Sequence, residues 1–117
     1  MNFDEAIQAH SNWKSKLAAY LKAPNRTINT DVLGADNQCV LGKWLHGEGE
    51  KYSNLPEYQE LLRGHALFHQ AAADVVRRAD AGEKVSEEVA IGAHSQYGKC
   101  SVQIVQLIMR MKTTLHG

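Results

Sequence analysis

The sequence is poor in cysteine and proline, with two of each in 117 residues, and it has no long apolar run. Two cysteines are too few for a disulfide scaffold. No stretch approaches the roughly 18 apolar residues of a membrane span, so we expect no membrane association. Thirteen basic residues balance thirteen acidic ones. A neutral chain offers no basic face, and we therefore expect no nucleic-acid partner.

The N-terminus also lacks the features of an exported protein. The first ten residues, MNFDEAIQAH, carry acids where a signal peptide carries bases, and they contain no apolar segment. We therefore expect a cytoplasmic protein. A hydrophobic content of 44% is typical of a globular chain. Because a chain of about 100–150 residues can bury one sizeable core, we expect one domain over residues 1–117.

Helical periodicity dominates what is present, and no segment alternates like a strand for long. The first helix is predicted from Asn2 to Lys22, with Asn2 as its N-cap. A polar loop is predicted from Pro24 to Asn37, and loops of that length are usually functional or mobile.

Three more helices follow in the predicted order. A short helix covers residues 38–46 and ends at Gly47. A long helix runs from Leu55 to Ala81, and the last begins after Ser86 and reaches about Leu115. These patterns predict an all-α fold, a helical bundle completed by the loop or by another chain.

Three histidines fall on the apolar faces of these helices. His65 and His69 are spaced i, i+4, which places both imidazoles on one helix face, close enough to share a metal ion. His10 lies on the apolar stripe of the first helix, and Cys39 lies in the first turn of the short one. Alone, each has a simpler interpretation: a hydrogen-bonded core histidine, or a cysteine that packs as a small hydrophobic residue.

Taken together, the four residues form a complete zinc ligand set. Three imidazoles and one thiolate fill a tetrahedral site with no protein position left open. A bundle interior tolerates such groups only if they are paired, hydrogen-bonded or bound to a metal, and one zinc ion would satisfy all four. Acidic residues are missing from the helix stripes, which argues against a di-iron carboxylate site.

Three short motifs carry a family resemblance. HSNW at residues 10–13, CVLGKWL at 39–45 and HALFH at 65–69 resemble the chemoreceptor zinc-binding domain family, whose pattern is HxxW, CxxGxW and HxxxH. The resemblance implies that zinc is held by His10, Cys39, His65 and His69. It implies packing positions for Trp13, Gly42 and Trp44.

The resemblance also implies an architecture and a role. It implies a homodimer of four-helix bundles, each with an additional short helix that carries the cysteine ligand. It implies a sensory module of cytosolic chemoreceptors or diguanylate cyclases that responds to zinc or to oxidants such as hypochlorous acid. The sequence contains neither a receptor signalling hairpin nor a cyclase domain, so we expect a fragment or a stand-alone member.

The proposed sensing chemistry depends on the thiolate. A zinc-bound cysteine is a thiolate, which is the form that oxidants attack, and oxidation weakens sulfur as a ligand. Because the short helix follows a long loop and ends in glycines, we expect loss of the Cys39–zinc bond to release it while the histidines retain the metal. Zinc supply is an alternative signal for the same site, because metal binding also contributes folding free energy.

Other functions compete with this regulatory role without enzymatic activity. A zinc hydrolase needs an open coordination position and is less favoured, because four protein ligands close the site and the sequence has no HExxH motif. A structural zinc-stabilised dimerisation module and a haem-binding bundle remain alternatives. His46 could be a rival ligand, Cys100 could form a disulfide with oxidised Cys39, and His94 could contact the site. Simple solvation or packing roles are favoured for all three.

Overall fold

The computed structural model describes residues 1–84 and 86–116. Within these residues the chain is 76% helical and contains no strand, which confirms the all-α prediction. The α-helices are α1 (Phe3–Lys22), α2 (Thr30–Gly34), α3 (Val40–Leu45), α4 (Pro56–Asp80), α5 (Glu87–Ile91) and α6 (Gln96–His116). A 3₁₀ helix, Glu48–Tyr52, links α3 to α4.

Three long helices form the body of the molecule. Helix α4 packs against both α1 and α6, and α1 also packs against α6. The short α2 lies against α4. The described chain is therefore not clearly a four-helix bundle, because residues 24–55 contribute only short helices.

The ends of the long helices follow the sequence signals. The Asn2 side chain caps α1 by accepting a hydrogen bond from the Glu5 amide at 3.1 Å. Pro56 opens α4, where its missing N–H costs nothing. Gly82, at a φ of 81°, adopts the left-handed conformation that follows a helix end.

The segment predicted as a polar loop contains a helix. The Asn29 side chain accepts hydrogen bonds from the amides of Asp31 and Val32, and this cap starts α2. Five residues are too few to show a helical period, which is why the sequence pattern missed this helix.

The predicted short helix is present but begins later than expected. It starts at Val40, and Cys39 lies just before it as the N-cap residue. The Cys39 sulfur accepts a hydrogen bond from the Gly42 amide at 3.4 Å. The prediction that this helix carries the cysteine within its first turn is therefore not confirmed.

The predicted last helix is two helices. The chain leaves the helical path after α5, and Ser95 starts α6 because its hydroxyl accepts a hydrogen bond from the Gly98 amide at 2.9 Å. A Cβ atom at Gly98 would lie 2.1 Å from the carbonyl oxygen of Gly92, so only glycine permits this tight connection.

The core lies between α1, α4 and α6. Its fully buried side chains include Leu17, Phe68, Ile104, Ile108 and Met111. Within the two described ranges, no helix has both the length and the apolar character needed to cross a membrane.

Candidate metal centre

The structure brings the four predicted metal-binding side chains together. His10 comes from α1, His65 and His69 from one face of α4, and Cys39 from the residue that precedes α3. One donor atom from each lies within 4.8 Å of the others. Residues far apart in sequence therefore converge on a single volume.

Four of the distances between the donors are close to those of a tetrahedral zinc site. The Cys39 sulfur lies 3.2 Å from Nε2 of His65, 3.6 Å from that of His69 and 3.9 Å from that of His10. The two Nε2 atoms of α4 are 3.0 Å apart. Ligand atoms around a tetrahedral zinc with ordinary bond lengths are roughly 3.3–3.6 Å apart. The edge between Cys39 and His10 is the widest of these.

Backbone carbonyls orient two of the three imidazoles. Nδ1 of His10 is 2.7 Å from the Ala6 carbonyl oxygen, and Nδ1 of His69 is 2.8 Å from that of Leu33. A carbonyl only accepts, so each Nδ1 carries the proton and each Nε2 presents a lone pair to the site. Nδ1 of His65 is buried and has no hydrogen-bond partner among the described residues.

Burial keeps these histidines neutral. His10, His65 and His69 are 3%, 0% and 4% exposed. Burial, together with repulsion from the other two rings, lowers the pKa of His65 to about 2. Burial also lowers the pKa of His10 and of His69, although the carbonyl hydrogen bond of each opposes the shift. Neutral imidazoles are the form that binds a metal ion.

The Cys39 thiol is half-buried. Burial raises the pKa of Cys39, and the hydrogen bond from the Gly42 amide only partly opposes this shift. The amides at the start of α3 therefore do not suffice to favour the thiolate. In the protein alone the thiol form is favoured, so an ionised sulfur here needs a nearby cation.

The donor set fits zinc. Two unprotonated nitrogens converge with a sulfur and a third imidazole in a buried volume, and the lone pairs that face one another there require a cation or a proton between them. Three histidines and one cysteine are a combination that tetrahedral zinc accepts.

The three predicted packing residues lie in α1 and α3: Trp13 in α1, and Gly42 and Trp44 in α3. A Cβ atom at Gly42 would lie 1.9 Å from the carbonyl oxygen of Asp36, so the chain before Cys39 passes directly over this glycine. Trp44 contacts Phe3 edge-on at 5.4 Å between ring centroids. Trp13 is partly buried against the core.

Several supporting contacts were missed by the sequence analysis. The carbonyls of Ala6 and Leu33 orient imidazoles, but every residue has a carbonyl, so no residue type marks them. The Tyr58 hydroxyl donates a hydrogen bond to the Leu45 carbonyl and ties the end of α3 to α4. The one available signal was the position of Tyr58 on the apolar face of the long helix, since a buried tyrosine hydroxyl usually has a hydrogen-bond partner.

The remaining histidines and cysteine lie outside the cluster. His46 ends α3 and pairs with Asp36 at 3.1 Å, so it is not a rival ligand in this arrangement. Cys100 is buried on α6 and accepts a hydrogen bond from Gln96 at 3.5 Å. His94 is exposed in the turn between α5 and α6 rather than packed on a helix.

Comparison with family models gives one match. The model described as the chemoreceptor zinc-binding domain matches residues 10–76, more than half of the chain. The match begins at His10 and includes all four clustered residues. Comparisons with curated proteins and with solved structures gave no match.

Proposed function

The chain belongs to the chemoreceptor zinc-binding domain family, and from this premise we propose that it is a zinc-binding regulatory domain without enzymatic activity. Its metal is held by His10, Cys39, His65 and His69. The observation that supports this most directly is the convergence of three neutral imidazoles and one sulfur within 4.8 Å in a buried volume.

The proposed signal is oxidation of Cys39. A bound zinc ion would supply the positive charge that keeps this buried sulfur ionised. The ionised sulfur is the nucleophile of the site, and its oxidation to a sulfenic acid removes the negative charge that makes it a strong donor. His10, His65 and His69 remain as donors after this change.

The proposed response is movement of α3. The Cys39 sulfur both donates to the metal site and caps α3 through the Gly42 amide, so oxidation disturbs both contacts at one atom. The other end of α3 is fixed by the Tyr58 hydrogen bond and by the burial of Leu45. The movement therefore begins in the first turn of the helix.

Zinc supply is the second candidate signal for the same residues, because occupancy fixes α1, α4 and the start of α3 to one another. A structural role without sensing requires the same four ligands. In that case the oxidant should leave the conformation of the protein unchanged. A hydrolase is the least supported alternative, since the cluster contains no carboxylate among the described residues.

The proposed setting is a cytoplasmic homodimer, with residues 1–117 as one domain. The output would come from a chemoreceptor or diguanylate cyclase module in the same or another chain. Large apolar side chains lie exposed on α4 and α6, namely Leu67, Val102 and Met109. A second copy that covered these side chains would also complete a four-helix arrangement.

Two measurements test the proposed function. The purified protein should contain one zinc per chain, the Cys39→Ala and His65→Ala variants should bind zinc more weakly, and Cys100→Ala should retain it. Hydrogen exchange in residues 40–45 should accelerate after one equivalent of hypochlorous acid. A protein that takes up no zinc contradicts the metal site, and unchanged exchange after confirmed Cys39 oxidation contradicts the sensing mechanism.

A further inference from the structure

A cavity of about 410 Å³ opens on one side of the four-residue cluster, between the N-terminal half of α1 and the start of α3. Its wall includes two of the four donors, Cys39 and His10. His65 and His69 do not contribute to it and are almost fully buried. The cavity therefore approaches the sulfur at the 3.9 Å edge between Cys39 and His10.

The lining of this groove is mostly apolar, with one charge. Its apolar residues are Ala6, Ala9, Val40 and Leu41, and its polar residues besides the donors are Asn2, Glu5 and Gln38. Val40 is 69% exposed. The Glu5 backbone amide donates a hydrogen bond to the Asn2 side chain, which caps α1. The Glu5 carboxylate forms no ion pair with any described residue. That carboxylate is the single charged side chain of the groove.

We propose that this groove is the route by which small uncharged electrophiles reach the Cys39 sulfur, and that Glu5 disfavours anionic ones. The inference rests on the proposed function, because it concerns access to the same sulfur. A site of one divalent cation and one thiolate has a net charge of +1 and would by itself attract anions. The Glu5 carboxylate offsets that attraction, and the apolar walls favour reagents that need little hydration.

For hypochlorous acid, the reaction at the sulfur proceeds in two steps. The sulfur lone pair attacks chlorine, an S–Cl bond forms, the Cl–O bond breaks and hydroxide leaves. Water then replaces chloride at sulfur, which gives a sulfenic acid, chloride and a proton. Sulfur loses two electrons and chlorine gains two. The groove favours the undissociated acid over its anion, hypochlorite.

Alkylation tests access without depending on redox sensing. Iodoacetamide and iodoacetate react with a thiolate in the same way: an S–C bond forms, the C–I bond breaks and iodide leaves. The first reagent is uncharged and the second is an anion. Their rates at Cys39 are measured on the zinc-loaded protein by peptide mass spectrometry. Cys100, which is buried, serves as the internal reference thiol.

Two substitutions, each with a matched control, distinguish an effect of the Glu5 charge from an effect of the width of the groove. Glu5→Gln should raise the ratio of iodoacetate to iodoacetamide rates by about two- to threefold, the effect of removing one like charge from the path of an anion in water. Glu57→Gln makes the same change in net charge in the first turn of α4 and should leave the ratio unchanged. Val40→Trp should slow both reagents severalfold, while Val32→Trp, at an exposed position of α2, should not.

The outcomes decide the proposal directly. An unchanged ratio in Glu5→Gln, or the same rise in Glu57→Gln, contradicts the role of the carboxylate. Undiminished rates in Val40→Trp contradict the route. If Val40→Trp loses zinc, Ala9→Phe narrows the groove from the α1 wall and should slow both reagents instead. If oxidation leaves α3 unchanged while the alkylation pattern holds, the sensing mechanism fails and the access route stands.

Discussion

The three histidines of the cluster differ in the hydrogen bond made by Nδ1. His10 and His69 each donate from Nδ1 to a backbone carbonyl, which fixes the ring and the tautomer. Nδ1 of His65 has no such partner within the described part of the chain, although this ring is the most buried of the three. An unpaired buried polar atom typically costs about 1–3 kcal/mol. His65 is therefore held in place by its packing rather than by a hydrogen bond at Nδ1.

The lowered histidine pKa values make the metal-free protein sensitive to acid. A histidine whose pKa is lowered on folding contributes stability above its unfolded pKa of 6.5, and this stability is lost as the pH falls below that value. For His65 the loss should be on the order of 1 kcal/mol per pH unit below 6.5, continuing towards its folded pKa of about 2. Urea unfolding of chelator-treated protein between pH 8 and pH 5 measures this slope.

His94→Ala is the matched control, because His94 is exposed and lies outside the cluster. His65→Leu should flatten the slope. A metal-free protein whose stability is constant from pH 8 to pH 5 would show that these rings are not buried in the neutral form.

Gly42 should tolerate no side chain. A Cβ atom there would overlap the Asp36 carbonyl, which is backbone and cannot rotate away. Gly42→Ala should therefore destabilise the protein by about 1–3 kcal/mol and weaken zinc binding, because the displaced segment includes Cys39. Thermal unfolding and zinc titration measure the two effects. Lys43→Ala, an exposed position in the same helix, should change neither.

At the scale of elements, the small helix α2 is more important than its length suggests. It contributes the Leu33 carbonyl that orients His69, and it packs along α4. A polar segment of the chain thus becomes part of the support of the metal centre. Contacts that orient a metal-binding histidine typically change metal affinity by 10–100-fold when they are lost.

Asn29→Ala tests the role of α2. It removes the side-chain oxygen that caps the helix and should cost about 1 kcal/mol of local stability. Zinc affinity should fall severalfold, because the partner of His69 becomes less fixed. Ser86→Ala removes the corresponding cap of α5, which contributes none of the four clustered residues, and should leave zinc affinity unchanged. Equal zinc affinities in the two variants would contradict the supporting role.

The success of sequence-based prediction differs from element to element. The long helices α1 and α4 and the convergence of the four donors were predicted, because extended apolar periods and ligand spacing are properties of residue type. Helix α2 was missed, because its identity depends on one capping side chain. The division between α5 and α6 was missed, because Gly92 acts there through a close backbone approach that the apolar period does not reveal.

At the scale of the molecule, the metal centre lies at one place in a core that is otherwise apolar. Ile104, Ile108 and Met111 are fully buried in α6, which contributes none of the four clustered residues. We therefore expect the hydrophobic contacts between α4 and α6 to persist without metal.

Chelation should lower the melting temperature without unfolding the protein at 25 °C. Far-ultraviolet circular dichroism should retain most of the helical signal after zinc removal, while the thermal midpoint falls, since a ligand stabilises the folded state by mass action. Ile108→Ala should lower the free energy of unfolding by about 2–5 kcal/mol, and the thermal midpoint falls as a result. The variant should still bind one zinc per chain. Loss of most of the helical signal on chelation would show that the metal, rather than the apolar core, maintains the fold.

The order of the donors along the chain has a consequence for biosynthesis. His10 is made early, Cys39 follows, and the α4 pair is completed only with residue 69. A nascent polypeptide that has not yet exposed that residue outside the ribosome offers no more than a partial set of donors. For the proposed zinc site, the complete set of donors therefore forms only late in translation or after release, and a truncated product ending before residue 65 would contain two of the four donors.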